Sequence, residues 1–281
     1  MLELCAGLSD HALDAIADLE RRTVAVDGGR LKLEWGVLRS RPTDRTQDLL
    51  WWDADRLVGF VGLYGFGAPT LELAGMVDPQ SRRQGIGTAL LDAAQTLARE
   101  QDYKRVLLIV PRASEGGAAL AARRNGHLEH SEFAMVLADE PADGRVGPEI
   151  TVRDATEADA EVILALLDDG FGFRPDAASL RSTPGTRTVV VEVDGEPVGT
   201  ARLTVGGDGG AVYGFVVEPA RRGQGIGRQA LREFCRSLRS DGARQVRLEV
   251  AVENERALGL YTSLGFETVT VEDYYELPFD A

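Results

Sequence analysis

Two stretches of this 281-residue chain carry residues suited to binding phosphate. Residues 221–228 read RRGQGIGR and residues 81–88 read SRRQGIGT. Each follows an apolar run closed by an acid and a proline, Glu218-Pro219 or Asp78-Pro79, and each opens a second apolar run with helical spacing. A strand that passes through glycines into a helix start presents backbone N–H groups without helical partners beside the positive helix end. Glycine serves there because a Cβ would hold phosphate oxygens away from the amides. In the later copy the cradle is Arg222, Gly223, Gln224, Gly225, Ile226, Gly227 and Arg228, and Arg221, Arg222 and Arg228 supply charge for a diphosphate. In the earlier copy it is Arg82, Arg83, Gln84, Gly85, Ile86, Gly87 and Thr88, preceded by Val77. A dinucleotide fingerprint does not fit, because Arg228 stands where the third glycine belongs and the earlier copy has only two glycines.

The elements that position these loops repeat as well. Gly85 and Gly225 lie 140 residues apart, and their flanks agree at that offset. Between the copies, ADEPADGRVGPE (138–149) is rich in Pro, Gly and acids and has no periodicity, which marks a linker. The expected organisation is a domain over 1–139, a linker over 140–149 and a second domain over 150–281. In the second domain, ITVRDA alternates like a strand, and TEADAEVILALLDD has helical spacing behind a Thr156 cap. TRTVVVEVDGEPVGTARLTV reads as a hairpin about Asp194-Gly195. GAVYGFVVEP and RQVRLEVAV read as strands, IGRQALREFCRSLRS and NERALGLYTSLG as helices, and FETVTV and YYELPF as two closing strands. The first domain repeats this order from LLWWDADRLVGFVGLYG to EFAMVL. The fold class is α/β (α+β): two tandem domains, each a mixed, mostly antiparallel sheet flanked by helices.

Composition narrows the partners. Hydrophobic residues at 44% and charged residues at 27% are those of a globular protein. A net charge of −14 argues against nucleic-acid binding, which needs a basic face; it confers solubility and modestly favours cationic ligands. No apolar run reaches membrane-spanning length, and the acidic N-terminus does not read as a secretory signal. Cys5 and Cys235 cannot build a disulfide framework, so a cytoplasmic location is expected. No His/Cys cluster has zinc-like spacing, so no metal site is expected.

RRGQGIG together with LEVAVENERALGLYTSLGF (248–266) resembles the GNAT superfamily of acetyl-CoA-dependent N-acetyltransferases. The first motif looks like that family's diphosphate loop, and the second like its strand–Asn–helix–Tyr–Gly–Phe segment. Residues 248–266 are most similar to the acetyltransferases of ribosomal-protein N-terminal alanines. The tandem layout and VDPQSRRQGIGTAL look more like the mycothiol synthases, a two-domain branch. The likeness covers nearly the whole second domain and, in the first, Leu57 to Glu100.

The resemblance implies acetyl-CoA as co-substrate and direct attack by a primary amine in a ternary complex. It implies that the strands YGFVVEP and RLEVAV part to admit the pantetheine arm. Backbone of Phe215, Val216 and Val217 then faces the thioester, where an amide steadies the carbonyl oxygen during attack. Asn254 matches the position that hydrogen-bonds the coenzyme, Tyr261 the general acid for the departing thiolate, and Glu249 the general base, acting through water. A tyrosine near pKa ~10 protonates a thiolate near ~8.5 only if the site keeps the phenol neutral. Phe171, Phe173 and Arg174 fall in the family's variable region and are candidate acceptor contacts. The acceptor is a small-molecule amine or a protein N-terminus.

The first copy departs at the helix. Setting Gly126 on Gly265 places Ala122 at the Tyr261 position and Glu115 near the asparagine position. One working site is therefore expected, in the second domain. The first domain is a non-catalytic partner replacing the second subunit of a dimer, so the chain is expected to act as a monomer. The rival reading is a non-catalytic acyl-CoA-binding or regulatory protein. Retention of Asn254 and Tyr261 in one copy and their loss from the other favours the enzyme. His127, His130, Trp51 and Trp52 read as structural residues.

Overall fold

The computed structural model describes residues 1–65, 69–142, 147–172, 174–175, 177–183, 185–206 and 209–279. The chain forms two compact units, Met1–Phe133 with Val269–Ala281, and Ala134–Thr268. Its elements in chain order are β1 (Leu2–Cys5), α1 (Asp10–Asp27), α2 (Trp35–Arg39), β2 (Asp48–Asp53), β3 (Arg56–Tyr64), β4 (Thr70–Val77), α3 (Ile86–Glu100), β5 (Arg105–Pro111), α4 (Glu115–Arg123) and β6 (His127–Leu137). There follow β7 (Thr151–Asp154), α5 (Ala160–Phe171), β8 (Thr186–Val193), β9 (Glu196–Gly206), β10 (Gly209–Val217), α6 (Ile226–Ser240), β11 (Gln245–Ala251), α7 (Glu255–Ser263) and β12 (Glu267–Leu277).

In the first unit the strands run in the order β1-β2-β3-β4-β5-β12. All these pairs are antiparallel except β4 with β5. One face is covered by α1, with Ile16 and Leu19 packed on Phe60, Met76 and Ile109. The other is covered by α3, with Leu90, Leu91 and Ala94 packed on Val61, Leu108 and Val110. Each fully buried side chain of this size contributes about 1.5–3 kcal/mol.

Two expectations change here. FETVTV and YYELPF form one continuous strand, β12. That strand also moves the boundary, because Glu272–Leu277 pair residue for residue with Pro111–Val106 of β5. Arg105 and Arg112 seal the ladder with bonds of 2.6 Å to Glu276 and Asp273. The compact units therefore do not follow the division at 140–149: the last strand completes the first unit's sheet, and the ladder outweighs nearness in sequence.

In the second unit β10 pairs antiparallel with β9 and parallel with β11, and β8 and β7 continue the sheet. Asp194 and Gly195 both take positive φ, 53° and 79°, as the two-residue hairpin turn requires. Thr156 caps the helical segment through a capping box with Asp159. Ile226, Ala230, Leu231, Phe234, Cys235 and Leu238 form the buried stripe of α6, which packs on β9, β10 and β11. On β11, Val246, Leu248 and Val250 are buried, while Arg247 and Glu249 alternate to the other face.

Candidate active site

The two glycine loops adopt the same conformation. Gly85 and Gly225 cap α3 and α6 with left-handed φ of 86° and 90°. The first-turn N–H groups of each helix thus open toward the loop. Arg82 Nε donates to the Val77 carbonyl at 3.1 Å, and Arg222 Nε to the Val217 carbonyl at 2.8 Å, closing each turn. The residue two before the cap is also left-handed, Gly223 at 83° and Arg83 at 64°. The missing third glycine of the first copy is therefore a strained arginine, not a different loop.

Of the loop arginines, Arg82, Arg221, Arg222 and Arg228 have carboxylate, hydroxyl and backbone partners. Arg221 pairs with Glu196 at 3.1 Å and lies 3.8 Å from Glu218. Arg228 donates to Ser263 Oγ at 2.5 Å, beside the loop. In the first unit Arg82 is held by both carboxylate oxygens of Asp27, at 2.6 and 2.9 Å.

Between each loop and its sheet the parallel strands part. Pairing of β10 with β11 covers Gly209–Ala211 against Gln245–Arg247 and then stops, leaving Phe215, Val216 and Val217 beside a widening gap. In the first unit pairing of β4 with β5 stops after Leu73 and Leu108. The copies then differ in the strand itself. β10 carries a β-bulge between Tyr213 and Val216, with Gly214 at φ 55°, whereas β4 runs one-for-one against β3 from Glu72 to Val77. The bulge re-aims the backbone where the resemblance places the thioester. The isolated Gly214 within VYGFV is the sequence signal for such a bulge.

Tyr261, on α7, is 8% exposed, and burial pushes its phenol up to about 12. Its ring lies 6.0 Å from that of Phe266. Asn254 caps α7, its Oδ1 accepting from the Ala257 N–H at 3.1 Å, which leaves its amide NH₂ to donate elsewhere. Glu249 is half-buried on the strand face opposite the α6 core.

The alignment of the two helices needs correction. Ser114 caps α4 as Asn254 caps α7, and Gly126 donates to Ala121 as Phe266 donates to Tyr261. Asn125 at φ 54° fills the left-handed position of Gly265, so Ala121, not Ala122, stands opposite Tyr261, and Ser114, not Glu115, opposite Asn254. The missing hydroxyl at the tyrosine position holds either way.

Phe171 is 53% exposed at the end of α5, and Arg174 is paired with Glu161 at 2.5 Å. Phe173 lies outside the described residues. His130 stacks on Tyr274 at 4.1 Å, His127 lies beside Glu276, and Trp51 and Trp52 are half-buried against the first unit's two cores. Two features escaped the sequence reading. A cavity of about 370 Å³ opens in the first unit between the parted strands and the Gly85 loop. In the second unit Gly147 packs on the loop at Gln224 and Gly225. Among the described residues no helix is long and apolar enough to cross a membrane.

The profile of the Acetyltransferase (GNAT) family matches residues 15–126 and 156–266, extending the likeness in the first copy well beyond Leu57–Glu100. The chain is 32% identical to the mycothiol acetyltransferase of Kytococcus sedentarius over 299 residues, covering 96% of each chain. It is 31% identical to that of Catenulispora acidiphila over 233 residues, covering 74% of this chain and 72% of that one. The GCN5-related N-acetyltransferase of Sphaerobacter thermophilus shares the fold at TM-score 0.76 and 19% identity, covering 99% of this chain and 97% of that chain. A tandem GNAT protein from the clavulanic acid biosynthesis pathway does so at TM-score 0.71 and 21% identity over the whole of both chains. With two family matches, repeated glycine loops and parted strands, the chain belongs to the GNAT acetyltransferase family as a tandem member, an enzyme of acetyl transfer from acetyl-CoA.

Proposed function

We propose that the second unit carries the working site and transfers the acetyl group to a primary amine by direct attack in a ternary complex. The observation that carries this reading is the bulged end of β10 facing the parted β11, with Tyr261 buried on the helix that follows. Arg222 to Arg228 hold the coenzyme diphosphate through the backbone of the glycine turn and the α6 N-terminus. The Asn254 amide donates to the coenzyme arm. Backbone N–H groups at Phe215 to Val217 stabilise charge that develops on the thioester oxygen. Glu249 removes a proton from the incoming amine through water, and Tyr261 gives its proton to the departing thiolate. Burial suits Tyr261 to that task, since a phenol held neutral is always loaded with its proton.

The first unit holds the same coenzyme through Val77 and Arg82 to Thr88 but performs no transfer, because Ala121 offers no acid and Ile109 stands where β11 has Glu249. The tandem copies stand in for the two subunits of a dimer, and the chain acts as a monomer. For the acceptor, likeness to mycothiol acetyltransferases along nearly the whole chain favours the small molecule those enzymes acetylate over a protein N-terminus. The test is thiol release from acetyl-CoA with a panel of amines, on wild-type protein and Tyr261→Phe. Loss of about 10²–10⁴ in kcat with little change in KM supports the acid role. Undiminished release by the variant overturns it.

A further inference from the structure

The glycine loops and the helices that face them exchange arginines between the two copies. At the same offset of 140 residues, Arg83 of the first loop corresponds to Gly223 of the second, and Gly116 of α4 to Arg256 of α7. A second pair is exchanged in the same way: Thr88 and Arg123 in the first unit become Arg228 and Ser263 in the second. In the first unit all four residues border the cavity beside the loop. In the second, Arg228 reaches from the loop to Ser263 Oγ at 2.5 Å. Arg256 reaches the other way, from the helix to the loop, since a Cβ on Gly223 would lie 3.3 Å from its Nη2. Each unit thus has one arginine from the loop and one from the helix, in opposite order. An arginine that stabilises its own turn has to sit in that turn. One that either wall can supply serves what lies between the walls.

Arg256 also stands where a helix disfavours it. It is the second residue of α7, and the first turn, at the positive end of the helix, suits acids such as Glu255. The side chain is exposed, and among the described residues no ion pair or hydrogen bond holds it. A guanidinium kept at the positive end of one helix, over the glycine turn that opens another, is accounted for by an anion in that turn.

We propose that Arg256 binds a phosphate group of the coenzyme in the second unit, closing from α7 the cradle that the α6 loop opens. This rests on the reading that the α6 loop holds the coenzyme diphosphate, and adds the opposite wall to it. Gly223, without a side chain, leaves room for the guanidinium. Arg256 and Tyr261 share α7, so the same contact fixes the helix that carries Tyr261 against the bound coenzyme.

The experiment is calorimetric titration of the full chain with acetyl-CoA and with 3′-dephospho-acetyl-CoA, beside KM for acetyl-CoA. The samples are wild-type protein, Arg256→Gln, Arg256→Lys, Gly223→Arg on the Arg256→Gln background, and Gly227→Asp. An aspartate at Gly227 meets only ordinary contacts, 3.5 Å from Leu260 and 3.8 Å from Phe215, suits the first turn of α6 and repels the diphosphate. The binding event that it removes is the one at the α6 loop. Arg256→Gln should weaken that event about tenfold and raise KM to match, as the loss of one charge-assisted contact does. The melting temperature of the free protein should not fall, because the cation leaves the positive helix end. Arg256→Lys should stay within about threefold of wild type, and Gly223→Arg should recover about threefold or more of what Arg256→Gln loses. A penalty that persists with the dephospho-coenzyme assigns the contact to the diphosphate, and one that disappears assigns it to the 3′-phosphate. Unchanged affinity in Arg256→Gln, with the event still removed by Gly227→Asp, overturns the proposal and leaves the loop reading intact. Weaker binding with a lower melting temperature, recovered neither by Arg256→Lys nor by Gly223→Arg, shows a purely structural role and also overturns it. If Gly227→Asp removes no binding event, the loop reading itself fails, and the proposal with it.

Discussion

Gly147 lies against Gly225, the residue that caps α6 and shapes the second phosphate loop. A Cβ on Gly225 would come within 3.1 Å of the Gly147 Cα, and one on Gly147 within 3.2 Å of the Gln224 carbonyl oxygen. A Cβ on the equivalent Gly85 would meet nothing within 4 Å among the described residues. The second loop is therefore backed by the segment that follows the first copy, and the first loop is not.

Gly147→Leu should push on that loop and misplace its amides. KM for acetyl-CoA should rise about tenfold or more, the equivalent of the ~1–3 kcal/mol that overpacking costs, with a smaller change in kcat. Initial rates across coenzyme concentrations decide this, and an unchanged KM would show that the cradle keeps its shape without the glycine.

Tyr261 should remain protonated throughout the usual assay range, because burial raises its phenol to about 12. The kcat profile should then show no descending limb below about pH 11. A descending limb near pH 9 that disappears in Tyr261→Phe would mean that the phenol ionises far earlier than its burial dictates.

The left-handed residues before the two caps predict opposite changes in stability. Arg83 at φ 64° carries strain that glycine relieves, so Arg83→Gly should stabilise the first unit by up to about 1 kcal/mol. Gly223→Ala should cost the second unit about 1–2 kcal/mol for the same reason. Thermal melts of both variants check the pair, and shifts of the same sign would contradict it.

Asp48 provides a pH test. Desolvation on β2 pushes its carboxyl to about 6 despite Arg41 at 3.0 Å, which acts in the opposite direction. The folded state thus binds the extra proton more readily than the unfolded chain between the ordinary 3.8 and about 6. The group's contribution is complete below that window and is lost as pH rises through it. Melting temperature against pH for wild type and Asp48→Asn should diverge across the window, the wild type losing ground as pH rises. Asp159, whose carboxyl Arg153 and the Thr156 N–H hold below its ordinary range, works with the opposite sign in stronger acid. Parallel curves would remove Asp48 from the account.

Much of this was legible along the chain because the signals are local. A glycine at a helix cap, a Thr156 cap with its acid three residues on, and an Asp194-Gly195 turn each depend on the φ and ψ of a few neighbouring residues. Periodicity in α6 and β11 likewise reports which side faces a core. The ends of α4 and α7 are offset by one residue from their glycines, because Asn125 takes the left-handed conformation that Gly265 takes. ETVTVEDYYEL reads as two strands along the chain, but the ladder of Glu272–Leu277 with Pro111–Val106 carries it through as one, β12.

The sequence alone determined the tandem repeat, the two glycine turns and the helices they open, since each is written in contiguous residues. Only the tertiary structure decided that β12 completes the first unit's sheet, that β10 bulges at Gly214 while β4 does not, and that Thr23, Met76 and Ile109 wall one cavity. Those facts depend on register and on packing between residues far apart in the chain. Ladder pairing and burial settle them together, and no window of neighbouring residues contains that information.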